Sequence, residues 1–418
     1  MLQLYTILFY ILVPFILLRL LWKGVRAPGY RLRWAERFGF FSALDINKSI
    51  WIHAVSVGEV MAAERLVKMI LQAHPDLPIV LTTTTPTGSE RVKTLFGDSV
   101  LHVYAPYDLP LALNNFIRRT QPRLLVIMET EVWPNMLDTC EKRGIPTILA
   151  NARLSEKSAA NYAKWPRFSS MTLNKIGLIA AQGESDANRF IALGMPKERI
   201  NTIGSIKFDA QLPASLLERS EVLRREWGDR PVWVAASTQE GEDEQVLDAH
   251  KAIQNSIPNA LLVLVPRHPE RFDRVYALCE QADLKIVRRS SGEPCSSDVE
   301  LFLGDTMGEL SLFLAAADAA FVGGSLVKRG GQNVLEPAAL GKPVAFGPHM
   351  YNFAAISDLL LEREAAKMVS NAEELAAIIQ LWFEDASERA RVGENGRQVV
   401  HENQGAVDRL FALIDTKI

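Results

Sequence analysis

Short apolar runs alternate with longer amphipathic stretches from residue 50 onward, and this alternation constrains the fold more than any other feature. The short runs have the length and residue types of buried strands, whereas the stretches between them show the apolar spacing of helices. Strands that are apolar on both faces and separated by helices indicate a parallel sheet covered on each side. The predicted strands are 50–55, 79–84, 100–104, 123–128, 146–150 and 176–181 in a first series, then 231–236, 260–265, 284–288, 300–303, 319–322 and 343–346 in a second. The predicted helices between and after them are 59–73, 87–96, 109–119, 135–143 and 185–193, then 242–254, 269–281, 307–316, 333–340, 352–362 and 372–397.

The two series predict two doubly wound α/β domains, because each is about 170 residues long, a suitable size for one such domain. The predicted domains cover residues 23–205 and 231–398. Residues 206–230 join them as a mostly polar, helical linker, and residues 399–418 form a last helix that could pack on either domain. Ligands of open α/β sheets bind beyond the carboxyl ends of the strands, so two such domains are expected to face a cleft.

Composition excludes several classes of protein. Hydrophobic residues make up 48% and charged residues 23% of the 418 residues, which excludes a disordered, collagen-like or polytopic membrane chain. A formal net charge of −3 excludes a polycation that binds nucleic acid. The three cysteines lie far apart and the seven histidines do not pair at metal-ligand spacing, so no disulfide framework or zinc site is predicted. Neither a dinucleotide-binding nor a P-loop motif is present, and a metal-independent reaction without a bound cofactor is expected.

The amino terminus carries a separate signal. Residues 2–22 are mainly apolar, and a helix of this length is about 30 Å long, the thickness of a bilayer core. Residues 1–40 contain six basic residues and one acidic residue, which leaves 40 basic and 48 acidic residues for the other 378. The basic residues follow the apolar segment, opposite to the order in a secretory signal peptide. We therefore expect residues 1–22 to be a membrane anchor helix, with the basic flank against anionic lipids in the cytoplasm. The alternative is a buried helix of a soluble domain.

Polar residues follow the strands of the first series. Glu59 lies in the segment HAVSVGE, in the first turn of a helix, where the helix dipole is expected to keep its carboxylate ionised. Such a carboxylate could take a proton from an attacking hydroxyl, or it could simply stabilise the helix. Glu129 and Glu131 in METEVWPN follow the fourth strand, and two carboxylates there are costly unless they face water or a ligand. A helix capped by Glu131 is the alternative.

Two basic side chains follow later in the same domain. Arg153 in NARLS could hold an anion in the cleft, or could pair with one of the glutamates. Lys207 in GSIKFD stands at the junction of the two domains, where it could reach across the cleft or be a solvated linker charge.

The second domain has its own polar strand ends. Arg267 and His268 follow its second strand and could hold a phosphate or stack on a base. Residues 305–310 begin a helix whose free N–H groups would suit an anion. A glycine-rich segment leads to Asn333 and Glu336, which have the spacing of a capping box. Helix capping is the alternative to binding a phosphate there, with Glu336 accepting from ribose hydroxyls.

Together these segments identify a resemblance. The chain resembles the 3-deoxy-D-manno-octulosonic acid (Kdo) transferases of Gram-negative bacteria over essentially its whole length, and the order and spacing of the motifs make the resemblance specific. The matching segments, after the apolar anchor, are RWAERFG, HAVSVGE, TTTTPTG, METEVWPN, NARLS, GSIKFD, PRHPER, DTMGEL, GGS and GQNVLEPA.

The resemblance implies a GT-B glycosyltransferase fold, an α/β architecture of two Rossmann-like domains. It implies transfer of Kdo from CMP-Kdo to lipid IVA, an anionic acylated lipid A precursor, in lipopolysaccharide biosynthesis at the cytoplasmic face of the bacterial inner membrane. The reaction would be inverting and metal-independent. The residues that match the family's catalytic positions are Glu59 as the base, with Glu129 and Lys207 stabilising the transition state. Those that match its CMP-binding segments are Arg267, His268, Met307, Gly308, Glu309, Asn333, Val334, Leu335 and Glu336.

The first domain is then expected to bind the acceptor and the second domain to bind the nucleotide. Residues 26–37, which are basic, and apolar residues near 61–69 are expected to meet lipid IVA. One alternative is another membrane-associated GT-B glycosyltransferase that uses a UDP-sugar and a lipid acceptor, which would need more anion donors than CMP with its one phosphate. Another is a membrane-anchored sugar-binding or scaffold protein without turnover.

Overall fold

The protein divides into two compact units. A computed structural model describes residues 1–42, 46–209, 213 and 215–418. The first unit comprises Met1–Asp209 together with Gly405–Ile418, and the second comprises the described residues between them. Residues 43–45 of the predicted first domain, and 210–212 and 214 of the predicted linker, lie outside the described residues.

The first unit is built on a parallel sheet with seven strands among the described residues, in the order β3-β2-β1-β4-β5-β6-β7. The strands are β1 Ser49–His53, β2 Ile79–Thr83, β3 Leu101–Tyr104, β4 Pro122–Met128, β5 Thr147–Ala152, β6 Leu178–Ala181 and β7 Ile200–Thr202. The helices are α1 Leu2–Arg26, α2 Val57–Ala73, α3 Pro86–Phe96, α4 Pro110–Thr120, α5 Pro134–Lys142, α6 Glu156–Ala163, α7 Pro166–Leu173 and α8 Glu184–Ala192. Short 3-10 turns cover Pro28–Arg31, Trp34–Phe38, Lys197–Arg199 and Ile206–Asp209.

Strand β1 shows why this sheet forms. All five of its residues are buried, because its side chains alternate between two hydrophobic layers. Ile50 and Ile52 belong to the layer on one face, and Trp51 belongs to the layer on the other, where it packs against Phe116 of α4. A strand that is buried on both faces must be covered by helices on both, as the apolar pattern predicts.

The second unit repeats this architecture, and the part of it that the structure describes has a parallel sheet of seven strands in the order β10-β11-β9-β8-β12-β13-β14. The strands are β8 Val232–Thr238, β9 Leu261–Pro266, β10 Ile286–Arg288, β11 Leu301–Leu303, β12 Ala319–Val322, β13 Val344–Phe346 and β14 Ala366–Met368. The helices are α9 Leu216–Trp227, α10 Asp243–Ser256, α11 Phe272–Gln281, α12 Leu310–Ala316, α13 Leu335–Ala339, α14 Ala354–Glu362, α15 Ala372–Glu384 and α16 Ala386–Asn403. The two predicted parallel sheets are therefore confirmed.

Some predicted elements differ from the structure. The single helix predicted at 372–397 is wrong, because Asp385 separates α15 from α16 and accepts hydrogen bonds from the N–H groups of Ser387 and Glu388. Strands β7 and β14 were missing from the prediction. Helix α9, within the predicted linker, packs against α12 of the second unit.

The last helix, α17 Ala406–Asp415, belongs to the first unit. Its Val407, Leu410 and Ile414 join the same hydrophobic layer as Ile50 and Ile52. Asp209 accepts hydrogen bonds from the N–H groups of Gly405 (2.6 Å) and Val407 (2.7 Å), so a distant carboxylate caps this helix. The division of labour predicted for the two domains, acceptor in the first and nucleotide in the second, stays a prediction.

Candidate active site

Each sheet has one point of reversal, where the strands that follow its first strand are added first on one side of it and then on the other. Strand β1 lies between β2 and β4, and β8 lies between β9 and β12. The loops that follow such neighbouring strands diverge, which leaves room for a ligand beyond the strand ends. In the first unit Glu59 and Glu129 come after the two strands at this point. In the second unit the loops that follow Thr238 and Val322 do so.

Glu59 is fixed by the start of α2. Ser56 is the N-cap residue, and its hydroxyl oxygen accepts from the Glu59 N–H at 3.3 Å. The Glu59 carboxylate accepts from the Ser56 hydroxyl and from the Val55 N–H, both at 2.9 Å. Glu59 is only 7% exposed. Glu59 therefore stabilises the start of the helix, as one of its two expected roles requires, and the same hydrogen bonds hold its carboxylate in one orientation at the strand end.

The electrostatic environment of Glu59 differs from the expectation. Burial raises the pKa of Glu59 from 4.5 to about 7, against the lowering effect of its hydrogen bonds from Val55 and Ser56. The nearby charges of Glu129 and Glu131 raise this pKa further. The expectation that the helix start keeps the carboxylate fully ionised is wrong, because burial outweighs the helix terminus. A carboxylate with this pKa can both accept and release a proton near neutral pH.

Glu129 adopts a backbone conformation that is unusual for its residue type. Its φ is +55°, in the left-handed region, and its N–H donates to the Ala150 carbonyl of β5 at 2.8 Å. Such a conformation costs about 1 kcal/mol or more in a residue other than glycine, so the surrounding contacts must enforce it. The next residue helps, because the Thr130 hydroxyl donates to the Arg153 carbonyl.

The alternative that Glu131 caps the following helix is wrong. Its carboxylate accepts from the indole N–H of Trp133 at 2.9 Å. The cap of α5 is instead Asp108, which accepts from the N–H groups of Asn135 (3.0 Å) and Met136 (2.7 Å). Because Glu131 is not needed as a cap, its charge remains at the strand end, where it acts on Glu59.

The structure brings Lys207 to the same strand ends as Glu129 and Arg153. Lys207 lies in the 3-10 turn after β7. Burial lowers the pKa of Lys207, the charge of Glu129 raises it, and the charge of Arg153 lowers it again. Three charged side chains that the sequence analysis singled out separately therefore form one electrostatic group in the first unit.

Asn151 is a residue of this site whose role was not predicted, although it begins the segment NARLS. It is fully buried in β5, with a φ of +53°. Its Oδ1 accepts from the Ile206 N–H at 3.3 Å, next to Lys207. Asn151 thus connects β5 to the turn that carries Lys207. The segment NARLS marked this strand end, but only Arg153 in it was expected to act there.

Glu242 is the second missed residue, and it organises the loops of the second unit. It is completely buried. Its carboxylate accepts from four backbone N–H groups, those of Gln239 (2.9 Å), Gly324 (2.6 Å), Ser325 (2.9 Å) and Leu326 (2.9 Å). The N–H groups of the glycine-rich turn after β12 therefore donate to a protein carboxylate, so they are not available to a phosphate. Glycine is required at position 323, because a Cβ there would lie 2.7 Å from the Cα of Thr238.

Arg267 and His268 lie at the adjacent strand end. The Arg267 N–H donates to the Thr238 carbonyl at 3.0 Å, and its Nε donates to the Gln332 side chain at 3.1 Å. Arg267 thus connects the loops after β8, β9 and β12, although both it and His268 are exposed. Exposed cationic and aromatic groups at this point of the sheet are available to an anionic ligand.

The predicted CMP-binding segment 307–309 is only partly open. Met307 is 63% exposed, and Gly308, with a φ of +85°, has open space where a side chain would be. Glu309, by contrast, accepts from both Nε and Nη2 of Arg289 at 3.0 Å and from the Thr306 hydroxyl at 2.6 Å. Its carboxylate already has strong donors, so a ligand contact would have to displace one of them.

The segment 333–336 is held mainly by its own contacts. Asn333 accepts from the Leu335 N–H at 3.0 Å and donates to Glu336, which also accepts from the Ser311 hydroxyl. The helix begins with Val334 as its N-cap and has no side-chain cap, so the capping box predicted for Asn333 and Glu336 is not formed. The side chains of Val334 and Leu335 are buried, so their contacts to a ligand would have to come from the backbone. Helix α13 has only five residues, too few for an effective dipole.

The basic segment 26–37 does not face outward as a whole. Arg37 is 3% exposed, stacks on the Tyr104 ring and donates to the Thr84 carbonyl at 3.0 Å. Arg33 donates to the Ser89 hydroxyl and the His102 carbonyl. The expectation that Arg37 meets a lipid is therefore wrong. Arg33 is partly exposed and Arg31 is exposed, so their contact with a lipid stays a prediction.

The apolar segment 61–69 likewise lies mostly inside the first unit. Met61 is 43% exposed, whereas Met69 packs against the hydrophobic layer beneath α2.

Among the described residues, no group of three or more histidine, cysteine, aspartate or glutamate side chains is placed to hold a metal ion. The metal-independent reaction stays a prediction.

Two units of this architecture, with polar strand ends at both points of reversal, have the GT-B glycosyltransferase fold. A solved structure of Anabaena Alr3699/HepE in complex with UDP and glucose has the same fold, with a TM-score of 0.55 and 16% sequence identity, over 88% of this chain and 99% of that chain.

Sequence comparison then specifies the family. Residues 32–210 match the family model of the 3-deoxy-D-manno-octulosonic-acid transferases (kdotransferases). The chain is 45% identical to the 3-deoxy-D-manno-octulosonic acid transferase of Haemophilus influenzae, over 98% of this chain and 97% of that protein. It is 36% identical to the enzyme of the same name from Bordetella pertussis, over 98% of each. The chain belongs to the 3-deoxy-D-manno-octulosonic acid (Kdo) transferase family.

Proposed function

We propose that this protein transfers Kdo from CMP-Kdo to lipid IVA, with inversion at the sugar and without a metal ion. The observation that carries the proposal is Glu59, a buried carboxylate with a pKa raised to about 7 in a chain of this family. An acceptor hydroxyl must lose a proton as it attacks, and a base works best when its pKa lies near the operating pH.

Glu59 is the proposed general base. The acceptor oxygen forms a bond to the anomeric carbon of Kdo while the bond from that carbon to the CMP phosphate oxygen breaks. The electron pair of the broken bond leaves with CMP, and the proton of the acceptor hydroxyl passes to Glu59. Inversion follows because the acceptor attacks the face opposite the leaving group. The hydrogen bonds from Val55 and Ser56 keep the carboxylate oriented for this transfer.

Lys207 and Glu129 are proposed to stabilise the transition state. Lys207 is half-buried, where a positive charge acts more strongly than it does in water. The charge of Glu129 favours the ammonium form of Lys207, since it raises the pKa that burial lowers. Glu129 can therefore keep Lys207 protonated and in place, so that the ammonium group faces the anionic donor at neutral pH.

The second unit is proposed to hold the CMP portion. Arg267 is the strongest candidate for the phosphate, because it is exposed at the point of reversal and is held in place by Gln332. His268, the open turn at Met307 and Gly308, and backbone groups of Val334 and Leu335 would complete the nucleotide contacts. Glu309 would accept from a ribose hydroxyl only if it gave up a present donor, Thr306 or Arg289. Glu336 would likewise have to give up Ser311 or Asn333.

The proposed location is the cytoplasmic face of a bacterial inner membrane, with α1 as the anchor. Helix α1 is long and apolar enough over Leu2–Val25 to reach across a membrane. The exposed Arg19 and Arg31 suit the anionic lipid surface on which an acylated acceptor is presented.

The deciding experiment is transfer by the purified full-length protein, with the product identified by mass. We expect lipid IVA to gain the mass of Kdo when CMP-Kdo is the donor, and CMP to protect the protein in a thermal-shift assay better than UDP does. A reaction without acceptor is the control for donor hydrolysis. Transfer from UDP-sugars but not from CMP-Kdo, or no transfer in detergent that keeps the protein folded, would overturn the proposal.

A further inference from the structure

Helix α1 has one face toward the first unit along its whole length. Its less exposed residues recur at helical spacing and are Leu2, Tyr5, Phe9, Val13, Ile16 and Leu20. The same spacing, shifted by two residues, gives side chains that are more than half exposed, namely Leu4, Ile7, Ile11, Phe15, Leu18 and Trp22. A helix with a continuous protein-facing stripe lies along the protein and does not project from it.

Polar contacts fasten the first turns of α1 to the unit. The Tyr5 hydroxyl donates to Asp108 at 2.9 Å, and the Thr6 hydroxyl contacts the Asn135 side chain at 2.8 Å. The Tyr5 ring also packs on Phe168 of α7, with the ring centroids 6.1 Å apart. Asp108 is the same buried carboxylate that caps α5. The amino-terminal end of α1 is therefore tied to the interior of the first unit.

The other end of α1 is tied to the same unit. Lys23 lies over the Tyr30 ring at 5.2 Å, and Gly24 packs so tightly on Arg31 that a Cβ would lie 2.4 Å from its Cγ. The 3-10 turn that carries Tyr30 and Arg31 packs in turn on α3, because a Cβ at Gly29 would lie 2.8 Å from Pro86. Both ends of a helix about 36 Å long thus contact one unit.

We infer that α1 does not cross the bilayer but lies in the plane of a single leaflet, with its outer face among the lipid chains. The inference rests on the membrane location proposed above. The occupant of the outer face is an anionic lipid surface, because the face is apolar along its length and basic residues, including Arg19 and Arg31, accompany it. An exposed apolar face that runs the length of a helix marks an interaction surface.

A crossing helix conflicts with these contacts. If α1 spanned the bilayer, Tyr5 would lie some 25 Å from Trp22 across the membrane. Asp108 and Asn135, which contact Tyr5 and Thr6, would then be drawn to that depth with the ends of α4 and α5. The charged groups at the surface of the unit would lose their hydration, at a cost of several kcal/mol for each.

The test locates the amino terminus relative to the membrane. A cysteine in a short Gly/Ser extension before Met1 is compared with Glu198→Cys, an exposed position of the first unit, using a maleimide that does not cross membranes. The native cysteines are buried, and the wild-type chain gives the background. We expect both introduced cysteines to react in inverted inner-membrane vesicles, at rates within about threefold, and neither to react in intact spheroplasts. Reaction of the terminal cysteine in spheroplasts alone would overturn the inference, as would absence of the protein from the membrane fraction.

A second variant tests the contact itself. Tyr5→Phe removes the donor to Asp108, and we expect the unfolding temperature of the first unit in detergent to fall by about 2–4 °C. Tyr10→Phe, on the exposed face, is the matched control and should leave it unchanged. Equal unfolding temperatures for Tyr5→Phe and Tyr10→Phe would contradict the inference that α1 is held against the first unit. Transfer from CMP-Kdo is measured on every variant, so loss of the proposed activity is distinguished from a misplaced helix.

Discussion

At the scale of single residues, two glutamates in equivalent places show how environment decides chemistry. Glu59 and Glu242 each stand where the first strand of a sheet gives way to its first helix. Glu242 accepts from four backbone N–H groups and has no room for a further partner. Glu59 accepts from two groups, lies near Glu129 and Glu131, and has a pKa raised to about 7. The first arrangement stabilises loops, whereas the second suits the proposed role of Glu59 as a base.

Glu59→Gln should make the first unit less sensitive to pH. Burial raises the pKa of Glu59 above its ordinary 4.5. The protonated side chain therefore contributes to the folding stability fully below pH 4.5, and this contribution is lost as the pH rises through about 7. The glutamine does not titrate, so relative to wild type the variant should gain up to about 3 kcal/mol between pH 5 and pH 8. Unfolding midpoints at the two pH values measure this. Glu64→Gln, on the same helix, is the control, and parallel curves for wild type and Glu59→Gln would contradict the raised pKa.

At the scale of elements, the strand-end loops depend on contacts that are not visible as motifs. The loops after β8 and β12 are joined by Glu242 and by the close approach of Gly323 to Thr238. In the first unit, Asn151 connects β5 to the turn of Lys207. These connections fix the positions of the loops that carry the proposed ligand contacts, so they should affect stability and activity together.

Glu242→Gln tests this dependence. An amide can accept through only one of its two terminal atoms, so about two of the four backbone N–H groups would lose their acceptor. We expect a loss of at least about 3 kcal/mol in the unfolding free energy of the second unit, from denaturant titration of its transition. Glu240→Gln, at an exposed neighbour paired with Arg274, should leave the midpoint unchanged. A Glu242→Gln midpoint equal to that of wild type would show that the loops are held by other contacts.

At the scale of the whole molecule, the apolar pattern was sufficient to predict both sheets, because strands buried on two faces leave continuous apolar runs. It missed β7 and β14, which lie at the edges of their sheets and are partly exposed, so they leave no continuous apolar run. Glu59 was identified from its motif, whereas Glu242 was hidden among the acidic residues 240–244, which look like an ordinary helix start. Arg37 was misplaced because a run of arginines usually indicates a solvated surface, and only tertiary contacts show that Arg37 is buried.

The two terminal helices also have contacts that the amino-acid sequence does not reveal. Helix α17 completes the hydrophobic layer of the first unit. Its first turn is capped by Asp209, which lies nearly 200 residues earlier in the chain. Helix α1 fits the length of a bilayer span, yet its first turns are bonded to Asp108 and Asn135. Length and hydropathy cannot reveal a partner that lies more than 100 residues away.

Glu59 as the base is tested most directly by the pH dependence of kcat/KM for Kdo transfer by wild type and Glu59→Gln, together with the Kd of CMP for both. We expect wild-type kcat/KM to rise tenfold per pH unit up to about pH 7 and then to level, because the unprotonated carboxylate is the active form. We expect Glu59→Gln to lose about 10³-fold in kcat/KM while its Kd for CMP stays within about twofold of wild type. Near-wild-type turnover by Glu59→Gln, or a wild-type profile that is flat through pH 7, would contradict the assignment of Glu59 as the base.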